Sequence, residues 1–242
     1  MPEPRTLPLV VASVEDVTPH MRRIQLTGPA LESFEYLPGQ DLALGFVRDD
    51  GTTVRRRYTI RRFDRDRGLF DLDFVMHGDG PGIKWAQAAR PGVAIEAIGP
   101  RGKIALAPGA EWHVFAGDAT ALPGALAMME ALPVGVPASA WVEVDSPEER
   151  QSFTVAGTNK TMNWRYVGDR TAGASSRLIT DVSAADMSPA GGHAYLAGEV
   201  ALVSALKAAL LTRGWTADQV SAKAYWNRGR ANADRGEPEV RA

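Results

Sequence analysis

The chain has 242 residues, with 27 Lys+Arg against 29 Asp+Glu for a formal net charge of −2, and it has no cysteine. The near-neutral balance argues against a dedicated nucleic-acid binder, and the missing cysteines remove disulfides, thiolate nucleophiles, zinc–cysteine centres and iron–sulfur clusters. No apolar run is long enough to span a membrane and the N-terminal stretch lacks a basic segment leading into a long apolar core, so the expectation is a cytoplasmic protein without membrane insertion.

The first hundred residues carry a strand pattern. Apolar, β-branched or alternating runs fall at 9–14, 23–27, 41–47, 54–60 and 69–76, and the Asp49-Asp50-Gly51 turn separates the third from the fourth. In the fifth, Phe70, Leu72 and Phe74 oppose Asp71 and Asp73. Short strands at regular spacing predict a small barrel or sandwich. A helix over 81–90 interrupts them and is stopped by Pro91-Gly92. The pattern changes near Pro108-Gly109. Strands at 112–116, 138–144, 164–167, 193–197 and 221–226 then alternate with helices at 122–132, 177–185 and 200–213. That order predicts a parallel sheet with helices on both faces, whose ligands lie beyond the C-terminal ends of the strands. Two strands end there in Gly plus an acid, Gly117-Asp118 and Gly198-Glu199. The domains are therefore read as 1–108, a β domain, and 109–230, an α/β domain, with a polar tail over 231–242.

Two segments carry chemistry. In Arg55-Arg56-Arg57-Tyr58-Thr59-Ile60-Arg61, strand alternation puts Arg56, Tyr58 and Ile60 on one side and Arg57, Thr59 and Arg61 on the other. An aromatic ring beside hydroxyl and guanidinium groups suits a phosphorylated ligand with a flat ring; a solvated edge strand accounts for the same residues. In Val75-Met76-His77-Gly78-Asp79-Gly80-Pro81-Gly82 a strand runs through a glycine-rich turn into a helix, which is either an ordinary loop or a phosphate site at a helix start. The four histidines, at 20, 77, 113 and 193, show no metal-ligand spacing, and no metal site is expected. The signatures of P-loop NTPases, zinc proteases and serine hydrolases are missing.

These segments occur in order with Leu37-Pro38-Gly39-Gln40, Gly99-Pro100-Arg101-Gly102, Gly117-Asp118-Ala119-Thr120-Ala121-Leu122-Pro123, Ala197-Gly198-Glu199 and Ala224-Tyr225-Trp226-Asn227-Arg228-Gly229. Over about residues 8 to 230 the chain resembles the siderophore-interacting proteins, flavin-dependent ferric-siderophore reductases related to ferredoxin–NADP reductase. The resemblance implies a six-stranded antiparallel FAD-binding barrel followed by a parallel-sheet, nicotinamide-binding-like domain. It implies FAD as cofactor, NADPH or NADH as electron donor and a ferric siderophore as substrate; nothing in the sequence fixes the oligomeric state, and a monomer is the default expectation. Tyr58 would stack on the flavin ring, Arg56 pair with the pyrophosphate, and Thr59 bond near the ring edge. His77, Gly80 and the helix start at Pro81 would hold ribityl and phosphate groups. The implied cofactor set also includes Arg57, Asp73, Phe74, Val75, Thr120 and Trp85, the last being either core or ligand contact. Asp118, Thr120 and Glu199 would line a nicotinamide site. Arg55, Arg57, Arg61, Lys84 and Lys223 are candidate cations of a rim that draws in anionic ferric chelates. Trp226, beside Tyr225, belongs either to that rim or to the core. Ala119, the Tyr195-Leu196 stretch and Ala224 depart from the family pattern and bear on reductant preference and substrate access. Reduction of a different acceptor, or non-catalytic binding of flavin or chelate, are the alternatives.

Overall fold

The computed structural model describes residues 3–48, 50–153, 159–168 and 177–229, so the tail over 231–242 lies outside the described residues. The chain divides after Leu106 into two units, each with its own core. Among the described residues no helix is long and apolar enough to cross a membrane.

The first unit is a closed antiparallel barrel of six strands: β1 (Arg5–Thr18), β2 (Met21–Thr27), β3 (Asp41–Val47), β4 (Thr53–Asp64), β5 (Leu69–Val75) and β6 (Ala94–Arg101). Their order around the barrel is β1-β2-β5-β4-β3-β6. Inward residues alternate along each strand, and Leu42, Leu44, Phe46, Ile60, Phe70, Leu72 and Phe74 are all buried in one cluster. The outer face of β5 is covered as well. Asp71 accepts from Gln25 Nε2 (2.8 Å) and Arg62 Nε (3.0 Å), and Asp73 takes both arms of Arg23 (2.7 and 2.8 Å). A single helix, α1 (Pro81–Ala88), packs on β3 and β5. Composition and alternation predicted five of these strands; β6 was missed, because Ala94, Ala97 and Gly99 dilute the apolar signal that Ile95 and Ile98 carry.

The second unit is a five-stranded parallel sheet of β7 (Trp112–Asp118), β8 (Ala138–Val144), β9 (Lys160–Tyr166), β10 (Gly192–Glu199) and β11 (Val220–Trp226). Its order is β11-β10-β7-β8-β9. The chain starts in the middle at β7, steps outward through β8 and β9, then returns to the other side of β7. The strand order therefore reverses between β7 and β10, and a crevice opens at such a switch point beyond the strand ends. The helices are α2 (Leu122–Ala131), α3 (Arg177–Ala184) and α4 (Val200–Thr212). Leu178 and Val182 of α3 and Leu202, Val203, Leu206 and Leu210 of α4 bury one sheet face, against Val114, Ala116, Ala194 and Leu196. Along α2, every residue from Leu122 to Met129 is buried.

Candidate functional site

In the barrel unit, the candidate cofactor residues gather where β4, the end of β5 and the start of α1 meet. Tyr58 lies inward on β4, its ring 4.0 Å from that of Phe74 and 6.1 Å from that of Phe46. A Cβ built on Gly82 in the first turn of α1 would sit 2.2 Å from the Tyr58 hydroxyl, so only glycine lets the helix come this close. Burial pushes the phenol pKa well above its ordinary value, and the hydroxyl keeps its proton. Among the described residues that hydroxyl makes no hydrogen bond, and neither does the side chain of Thr59 on the other face of the strand. Gly80 occupies the cap position of α1, and no side chain caps the helix. Added Cβ atoms at Gly78 and Gly80 would meet nothing within 4 Å. The half-buried Arg56 donates from Nη1 to the Arg55 carbonyl oxygen at 2.9 Å. This donor set fits a flavin dinucleotide. A neutral, half-buried phenol, a hydroxyl and an uncapped helix start are donors for ring edge and phosphate, and a guanidinium supplies positive charge.

Other members of the expected cofactor set have different surroundings. Asp73 is buried and paired with Arg23, and Phe74 is fully buried in the barrel core, so their side chains support the site from inside. The Val75 carbonyl oxygen accepts from His77 N–H at 3.0 Å. Exposed His77 is met edge-on by the ring of His20, centroids 5.5 Å apart, a pairing that residue spacing does not reveal. Trp85 packs against the core, 5.7 Å from Phe46 and 5.8 Å from Phe74.

Most cations of the expected basic rim have acidic partners or are buried. Arg55 pairs with Glu96 at 3.0 Å, Arg57 pairs with the buried Asp41 at 2.8 Å, and Arg61 is itself buried. Of that set in the barrel unit, Lys84 alone is exposed and without an ion pair among the described residues. In the second unit, Lys223 lies over the ring of Tyr225, its Nζ 5.5 Å from the centroid.

In the second unit, Asp118 and Glu199 do lie at the strand-end crevice between β7 and β10, but both carboxylates are committed internally. Asp118 Oδ1 accepts from Thr120 N–H (2.9 Å) and Thr120 Oγ1 (2.6 Å). Its Oδ2 accepts from Glu199 N–H (2.7 Å) and Trp226 Nε1 (2.9 Å). One buried carboxylate thus ties together the ends of β7, β10 and β11. Burial raises its pKa, and the four donors oppose that shift. Glu199 caps α4, accepting from Ala201 N–H (2.6 Å) and Leu202 N–H (3.0 Å). Trp226, placed at sequence level on a substrate rim or in the core, is anchored by Asp118 and packs against the unit's core. Further down the sheet, His113 is buried beside His193, its neighbour in register. The Tyr195 hydroxyl accepts from Ala107 N–H at 2.7 Å and lies 3.2 Å from His113 Nδ1. Either group can donate across that contact, the tautomer of His113 deciding which.

Known proteins share this organisation. The siderophore-interacting FAD-binding domain family matches residues 39–104. The siderophore-interacting protein family matches residues 110–229. An uncharacterised protein of Mycobacterium tuberculosis is 30% identical, over 91% of this chain and 89% of its own length. Ferric vibriobactin reductase of Vibrio cholerae is 30% identical over 73% of this chain and 66% of its own. Among solved structures, a siderophore utilization protein from T. fusca superposes with a TM-score of 0.85 at 27% identity, covering 96% of this chain and 97% of that one. A ferredoxin reductase of carbazole 1,9a-dioxygenase, at 18% identity and a TM-score of 0.74 over 92% of this chain and 70% of its own, shares the fold. With one family matched in each unit, the chain belongs to the siderophore-interacting proteins, an FAD-binding family with a ferredoxin-reductase-like fold.

Proposed function

We propose that the protein is a ferric-siderophore reductase that uses bound FAD to take electrons from NADH or NADPH and deliver them to Fe(III) held by a siderophore, releasing Fe(II) in the cytoplasm, and that it works as a monomer. The observation that carries this reading is the uncapped start of α1 against a half-buried Tyr58 whose hydroxyl is unbonded among the described residues, inside the stretch that matches an FAD-binding domain. FAD, when bound, supplies the conversion between a two-electron donor and a one-electron acceptor. The chain's own residues bind and orient. Tyr58 and Thr59 offer donors at the ring, and Arg56 with the Gly80–Pro81 helix start receives the phosphates. Asp118 and Glu199 hold the strand ends of the donor-binding unit in place rather than contacting a ligand themselves. Fe(II) is a poorer partner than Fe(III) for hard oxygen ligands, so reduction alone loosens the chelate and no protein ligand to iron is required. Likeness to a ferric vibriobactin reductase supports the substrate class. The test is an anaerobic absorbance titration of the purified protein. The expected result is flavin absorbance that a nicotinamide donor bleaches and a ferric siderophore restores, with Fe(II) trapped by a ferrous chelator. A colourless protein that takes up no added FAD overturns the reading.

A further inference from the structure

Along β2 and β5 the inward positions of the barrel are apolar: Ile24 stands opposite Leu72 and Leu26 opposite Phe70, all four fully buried. The next inward pair breaks the pattern. Arg22 stands opposite Phe74 on one side and opposite Asp16 of β1 on the other. A cation at a core-facing strand position is costly to desolvate unless partners take its donors. Here all three guanidinium nitrogens have partners. Nε and Nη2 donate to the two Asp16 oxygens (2.7 and 3.0 Å), and Nη1 donates to the carbonyl oxygens of Ala86 (3.1 Å) and Gln87 (3.4 Å). The bond from Arg22 holds the Asp16 carboxyl below the usual carboxylate range, so the pair is ionised at neutral pH.

Ala86 and Gln87 lie in the last turn of α1, where closing carbonyls lack partners within the helix. That turn has no basic residue of its own. A helix of eight residues does not hold itself together. Its start is fixed by the close contact of Gly82 with Tyr58, and fully buried Ala86 seats its last turn in the barrel core. Arg22 supplies what apolar packing does not. It binds the far end of the helix in a fixed direction, and its charge at the negative end of the dipole complements the positive end at Gly80–Pro81.

We propose that Arg22 is a positioning residue for the cofactor: oriented by Asp16, its guanidinium holds the far end of α1 and so sets the helix start that receives the FAD phosphates. The inference rests on the reading of that helix start as the phosphate site, and the unaltered protein tells the two failures apart.

The experiment frees the purified full-length protein of bound flavin and titrates it with FAD and with riboflavin, which has the same ring and no phosphate, following flavin fluorescence. Arg22→Gln keeps most of the stem and loses the charge and the fork. It should weaken FAD binding about three- to tenfold and leave riboflavin within about twofold. Asp16→Ala leaves the guanidinium in place but unoriented, and should weaken FAD about two- to threefold with riboflavin unchanged; this variant decides the matter if Arg22→Gln does not fold. An arginine that serves only the barrel's stability would weaken both ligands alike, and that result overturns the inference. Unaltered FAD affinity in either variant overturns it too, while the phosphate reading stands. An unaltered protein that binds FAD no better than riboflavin, or binds neither, overturns the phosphate reading and the inference with it.

Discussion

Two residues far apart in sequence, Tyr58 and Gly82, set the tolerance of the barrel site. A Cβ at position 82 would lie 2.2 Å from the tyrosine hydroxyl but 3.3 Å from the ring carbon that bears it, so the collision is with one oxygen atom. Gly82→Ala should therefore push the ring off Phe74, cost about 1–3 kcal/mol by overpacking and weaken FAD retention. Adding Tyr58→Phe removes that oxygen, and the double variant should recover most of the lost thermal stability while binding FAD less well than the unaltered protein. Melting curves and bound-flavin ratios for the three proteins check this. A double variant no more stable than Gly82→Ala would show that the clash lies elsewhere. The sequence motif identifies Tyr58, yet the steric demand on Gly82 is invisible there, because it comes from a strand and a helix that meet only in the folded barrel.

At the scale of elements, what the sequence makes legible is alternation; what it hides is pairing. The strand at Leu69–Val75 was evident from its apolar period, and so was the β-then-α/β order. Asp71 and Asp73 read as the face opposite the apolar residues, with Asp73 in the implied cofactor set, and neighbouring strands lay Arg62, Gln25 and Arg23 over them and bury them. Arg55 and Arg57 read as candidate rim cations, and the sequence does not show that Glu96 and Asp41 face them across strands. Cross-strand register decides these cases, and one sequence does not contain it. The consequence for stability is graded by burial. The Asp73 side chain is fully buried against an Arg23 only 20% exposed, whereas Asp16 is 59% exposed beside Arg22. Asp73→Ala strands a largely desolvated guanidinium and should cost about 3 kcal/mol; Asp16→Ala should cost under about 1 kcal/mol. Urea midpoints at neutral pH separate the two, and equal shifts would refute the burial argument.

Across the whole molecule, tryptophan placement allows one of the two units to be watched alone as it answers to acid. Of the six tryptophans, Trp85 lies in the barrel unit and the other five in the parallel-sheet unit. Trp85→Phe thus leaves a protein whose emission reports the second unit. That unit holds His113, whose pKa is lowered to about 4 by burial and by the neighbouring His193, itself lowered by burial. The groups around it are Tyr195, held protonated with a pKa raised to about 12, and, on His193, the Ser221 hydroxyl at 2.9 Å. Unfolded, His113 takes a proton near its ordinary pKa of about 6.5; folded, it does so only near 4. Between those values the unfolded chain binds more protons, so stability is complete above about pH 7 and declines as pH falls toward 4, with a slope of at most about 1.4 kcal/mol per pH unit. Asp118, with its raised pKa, gains stability on taking up a proton and works in the opposite sense at the acid end. A His113→Gln variant retains that opposing contribution, so the difference between the two proteins isolates the imidazole. In the Trp85→Phe background, the urea midpoint of the second unit should fall by an amount equivalent to about 2 kcal/mol between pH 7 and pH 4.5, and His113→Gln should flatten most of that decline. Parallel curves for the two proteins would mean that His113 is not held neutral by its burial against Tyr195.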